Sequence, residues 1–86
     1  MSEQLIPIEE VLYVFESWTL MVKSDFSHFL ESGSELLLFD SAKQEVGKAK
    51  LNRLLSSRNP NINPFEITVI EKPQDFKQVK FFKVIY

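Results

Sequence analysis

The sequence predicts a single α+β domain over residues 1–86, with an N-terminal helical layer packed on a four-stranded antiparallel sheet of two hairpins. Three observations lead there. Apolar residues in the first third recur at steps of three and four, the remainder breaks into short β-rich runs separated by turn residues, and the charge changes sign between these two parts.

In the first third, Ile8, Val11, Leu12, Phe15, Trp18, Val22, Phe26, Phe29 and Leu30 fall on one helical stripe. Pro7 suits the first helical position, Glu9 and Glu10 sit where the helix dipole favours carboxylates, and Gly33 stands where a helix would stop. A single helix of this extent would run about 37 Å, against about 20–23 Å for strands of six or seven residues. The layer is therefore expected as one long helix or two, broken near Ser24, where Ser24 and Asp25 can cap a shorter helix over residues 25–32.

Residues 35–39, 40–44 and 45–51 read as strand, turn and strand. Helix competes over 41–51, because Ser41 and Gln44 match a capping box. On such a helix, however, Ala42, Val46 and Ala49 would face away from Leu51, Leu54 and Leu55. A short helical turn is expected at 51–56, a loop over the Asn- and Pro-rich residues 58–64, a strand at 65–70, a turn at 72–75 and a last long strand at 76–86. That last strand is apolar on both faces, with Val79, Phe81 and Ile85 on one side and Phe76, Phe82, Val84 and Tyr86 on the other. One face goes to the core; the other needs a cover from the chain itself or from a partner.

A helix followed by antiparallel strands resembles the cystatin layout. In that comparison Gln44-Glu-Val-Gly47 approximates the Gln-x-Val-x-Gly hairpin, and Lys72-Pro73 stands at the second loop. Gly47 comes one residue early and no tryptophan follows Pro73, so the resemblance extends to layout and carries no inhibitory function.

Hydrophobic residues make up 44% of the chain, eight of them Phe, which is enough to build a core. Cysteine is absent, so disulfides, thiolate zinc sites and a cysteine nucleophile are excluded, and a reducing, cytoplasmic setting is expected. Residues 1–4 lack the basic flank of a signal peptide, and the apolar runs are far shorter than a bilayer, so no membrane association is expected. Residues 1–40 hold eight acids against one base, Lys23, for a net −7, and residues 41–86 hold nine bases against four acids, for a net +5. This is expected either as an acidic helical layer complementing a basic sheet layer, or as two charged faces that steer a partner or stack copies of the chain.

Catalytic chemistry finds little support. His28 has Asp25 three residues before it and Glu31 three after, which on a helix gives one imidazole between two carboxylates, and such a histidine is usually just half-exposed surface. Gly33 and Gly47 alone cannot build a phosphate loop. No enzyme, cofactor or metal is expected. Lys77, Lys80 and Lys83 interleave with Phe76, Phe81, Phe82 and Tyr86, the ingredients of a stacking platform for single-stranded nucleic acid, yet the isoelectric point is near 5.3. The expected function is a small non-catalytic protein-binding module, an adaptor, inhibitor or regulatory subunit, whose partner is another protein or a second copy of itself. Contact is expected through Lys77, Lys80, Phe81, Phe82, Lys83 and Tyr86, and single-stranded nucleic-acid binding is the alternative.

Overall fold

Where a helical layer was expected, the chain forms strands. The computed structural model describes residues 5–14 and 16–85, with the backbone alone at 27–29. Among these residues the helical turns are two short 3-10 segments, Ser24–Phe29 and Phe76–Gln78. The strands are β1 (Ile6–Pro7), β2 (Glu10–Val14), β3 (Ser17–Lys23), β4 (Glu35–Phe39), β5 (Glu45–Leu54), β6 (Ile62–Glu71) and β7 (Phe81–Ile85), paired antiparallel in the order β1-β7-β4-β5-β6-β3-β2. The domain is a seven-stranded all-β sheet in place of the expected α+β arrangement with four strands.

The helical stripe is a hairpin read with the wrong period. Residues 10–14 and 17–23 are dense in Val, Tyr, Trp and Thr, which pack well on a pleated surface. Val11 opposes Leu20 and Tyr13 opposes Trp18, so inward positions alternate along each strand and shift phase across the two-residue connection. The helical spacing takes in Leu12, on the other face of β2, and passes over the fully buried Leu20, so it mixes positions from both faces of the hairpin. The connection itself carries no turn signal, because Glu16, at φ +63°, fills a left-handed position normally given to glycine or asparagine. The break expected near Ser24 is the end of β3 at Lys23, and a 3-10 segment replaces the second helix.

A covalent link between the two edge strands closes the sheet. Ile6 and Pro7 pair with Phe82 and Phe81 of β7, and Ile8 N–H donates to the Lys80 carbonyl at 2.9 Å. One residue later the chain changes allegiance. Glu9 N–H donates to the Met21 carbonyl at 2.7 Å, and Glu10 opposes the same Met21, a β-bulge that swings the backbone from β7 to β3. One continuous segment thus supplies both edges, and the sheet curls into a barrel. Its interior holds Leu20, Val22, Leu36, Leu38, Ala49, Leu51, Phe65 and Phe82, all at 0% exposure. Phe65 and Phe82 meet edge to face at 5.5 Å. Phe76 plugs one end: its ring stacks on Trp18 at 4.0 Å, and its 3-10 segment is capped by Asp75, whose carboxylate accepts from the Lys77 N–H at 2.9 Å.

The expected hairpin over 35–51 forms. Asp40 organises its turn, accepting from the N–H groups of Ala42 and Gln44 at 2.9 Å each. β5 then continues to Leu54, replacing the helical turn expected at 51–56, because β6 offers it a partner as far as Phe65. β6 starts inside the expected 58–64 loop: Asn63 and Pro64 pair across to Val22 and Met21 of β3, and the Pro64 carbonyl accepts from Leu55 N–H at 3.0 Å. The last strand begins at Phe81 and not at residue 76, since Phe76–Gln78 turns inward to seat the Phe76 ring. Without a helix the cystatin layout does not hold. Gly47, which that comparison placed in a projecting loop, is buried beneath β6 and its outgoing loop.

No helix among the described residues is long and apolar enough to cross a membrane. A Cβ on Gly47 would lie 2.7 Å from the Glu71 carbonyl oxygen and 3.0 Å from Pro73 Cδ, both in backbone-anchored positions. Gly47→Ala is therefore expected to destabilise the fold by about 1–3 kcal/mol, measured as a lower urea midpoint at unchanged slope.

Candidate partner-binding surface

A barrel buries one face of every strand and exposes the other, so each strand's alternation assigns its surface. On β7 the inward residues are Phe82 and Val84, and the outward ones are Phe81, Lys83 and Ile85. On β4 the outward residues are Glu35, Leu37 and Phe39. The register sets these side by side. Phe81 lies between Pro7 and Phe39, Lys83 opposes Leu37, which opposes Lys48, and Ile85 opposes Glu35, which opposes Lys50. Pro7, Phe81, Phe39, Leu37 and Ile85 are all half-buried, making a contiguous apolar surface on β1, β7 and β4. No helix or second sheet lies over it among the described residues.

Lysines, together with Glu35 and Glu45, rim this surface. Lys43 is held at the hairpin turn by φ +63°, which brings its Nζ over the Phe81 ring at 6.0 Å from the centroid. Lys48 bridges Glu35 across the β4–β5 ladder at 3.4 Å, with both side chains partly exposed, and Lys50 is exposed beside it. The chain matches no family model, no curated protein and no solved structure. Any functional reading therefore stands on this geometry alone.

The residues expected to act together are split three ways. Phe81 and Lys83 lie on the outer face. Lys77 and Lys80 are exposed at the seam where β1 leaves β7, sharing a cavity of about 250 Å³ with Ile8, Glu9, Glu10, Val11 and Val79. Phe82 is fully buried against Phe65, and Tyr86 lies outside the described residues. Asp25 is exposed at the start of its 3-10 segment and Glu31 is exposed beyond its end, while the side chain of His28 lies outside the described residues.

Pro7, Leu37, Phe39 and Lys43 join the surface only through pairing, and the sequence signal for Phe39 and Leu37 was the unbroken apolar run in β4, where strict alternation would have placed polar residues. The expected acidic layer over a basic layer is also absent. Acidic β4 sits between β7 and β5 of the basic half, so Glu35 is neutralised within the sheet. At the β2–β3 hairpin Tyr13 and Val14 are 59% and 41% exposed next to exposed Glu16, with the Tyr13 ring against Trp18 at 4.9 Å.

Inside and outside positions of β7 should respond differently to truncation. Phe82→Ala is expected to cost about 3–5 kcal/mol by opening a cavity against Phe65, whereas Phe81→Ala should cost about 1 kcal/mol or less, both read from denaturant unfolding.

Proposed function

We propose that this chain is a small, non-catalytic, cytoplasmic protein-binding module that engages its partner through the outer face of β7 and β4. One observation carries the reading: Phe81 and Phe39 stand next to each other on the barrel exterior, flanked by Pro7, Leu37 and Ile85, and no described element covers them. A self-contained domain gains nothing from aligning five half-exposed apolar side chains. A partner that covers them gains the burial and the aromatic contact. The lysine rim then selects orientation and disfavours basic partners.

The test is partner capture from a lysate of the source cells. Wild-type protein should retain a partner that Phe39→Ser/Phe81→Ser loses, while Leu54→Ser/Ile70→Ser, which alters exposed apolar residues elsewhere, should retain it. Equal capture by all three proteins would exclude this face.

A second reading, binding of single-stranded nucleic acid, is favoured by Lys43 standing over the outward Phe81 ring. Against it, Glu35 and Glu45 share the face and the net charge is −2. It predicts retention of a fluorescent oligonucleotide at low salt, weakened by Phe81→Ser and abolished as salt rises; absence of any anisotropy change at low salt removes it.

A further inference from the structure

We infer that the unpaired edge of β2 is a self-association site, to which β2 of a second copy of this chain adds antiparallel around a two-fold axis at Leu12. The site is separate from the β7–β4 face. Among the described strands β2 pairs with β3 alone, and the register shows which of its backbone groups are left over. Val14 opposes Ser17 across a two-residue connection, and the bulge at Glu9 and Glu10 bonds towards Met21, so Glu10, Leu12 and Val14 exchange their hydrogen bonds with β3. The N–H and C=O groups of Val11 and Tyr13 therefore point away from β3, and no described residue takes them up. Such a row binds an extended backbone.

A second β2 is the strand that fits. Edge strands are usually guarded by lysine, proline or an inward charge, yet beyond Glu10 this one reads Val-Leu-Tyr-Val, with Tyr13 and Val14 at 59% and 41% exposure. Pairing Val11 of each copy with Tyr13 of the other uses all the outward groups of both edges at once, and the axis then falls between the two copies of Leu12. On the outer face this register sets Leu12 against Leu12 and Val14 against Glu10, so no two carboxylates of β2 oppose each other. On the other face Tyr13, which rests on its own Trp18 at 4.9 Å, meets Val11 of the second copy. Val11 stands in the wall of the seam cavity of about 250 Å³, which no residue of β3 lines, so open space lies beside the free edge where the incoming strand enters.

Light scattering against protein concentration should take the mass from 10.1 kDa to about twice that and no further, because a two-fold contact closes on itself. High salt should leave the dimer in place, since backbone bonds and apolar contacts hold it. Amide hydrogen exchange reads the edge directly: Val11 and Tyr13 should gain protection as concentration rises, while Leu12, already bonded to β3, is protected throughout. Tyr13→Pro removes an N–H that serves no bond within the barrel, and Leu12→Lys sets two ammonium groups against each other on the axis; each should remain folded and monomeric. Should either variant fail to fold, the exchange pattern of the wild type decides. Tyr13→Thr, which keeps the N–H, and Phe39→Ser/Phe81→Ser, which alters the β7–β4 face, should still dimerise. A wild-type monomer at every concentration overturns the inference and leaves the edge to a strand of another protein. A dimer that forms without protecting Val11 and Tyr13, or that only Phe39→Ser/Phe81→Ser disrupts, overturns it equally.

Discussion

The constraint on which this fold depends is the hand-over of backbone pairing between Ile8 and Glu9. Ile8 N–H belongs to the β7 side and Glu9 N–H to the β3 side, so a single segment must satisfy both edges of the sheet. An open sheet of this size would leave two rows of unpaired backbone groups and one unburied apolar face. Closing it joins the edges over residues 6–8 and gives the inward side chains a common interior. Both long strands, β5 and β6, serve that geometry: their bulges near Ala49 and Arg53 supply the local bend that closure requires. Gly47 follows from the same demand, because the end of β6 and Pro73 press onto its backbone where the wall turns.

Closure also decides the character of the surface. The two-faced apolar strand needs two covers, and a barrel provides one. Phe82 and Val84 take the interior, and Phe81 and Ile85 are left with Leu37 and Phe39 beside them. In an α+β layer structure a helix could have covered the second face. Here the residues that imitated a helix are consumed by the barrel wall itself. Among the described residues the outer face is therefore uncovered for a topological reason.

Some of this was legible from residues alone. The β4–β5 hairpin could be read because Asp40 carries its own turn chemistry, accepting two backbone N–H groups within four residues, and no distant contact is needed. The β2–β3 hairpin could not, since Glu16 occupies a left-handed position without the glycine that would announce it. Tertiary pairing stabilises that turn, and pairing is not a local property. The candidate surface divides along the same line. Phe81 and Lys83 were visible as outward-alternating neighbours on one strand, but their company, Phe39 and Pro7, comes from strands 42 and 74 positions away in sequence, as the numbers of the paired residues show.

By itself the sequence determined the composition of the core, the alternating strands of the second half, the absence of cysteine chemistry and the segregation of charge along the chain. These depend on residue type and short-range spacing. Only the tertiary structure decided that Glu10–Val14 and Ser17–Lys23 are strands, that Phe82 is interior while Phe81 is not, and that β4 lies between β7 and β5. Apolar spacing over a short segment satisfies both a helix and a hairpin, and the choice between them is made by whichever partner strands stand ready to take up the backbone hydrogen bonds.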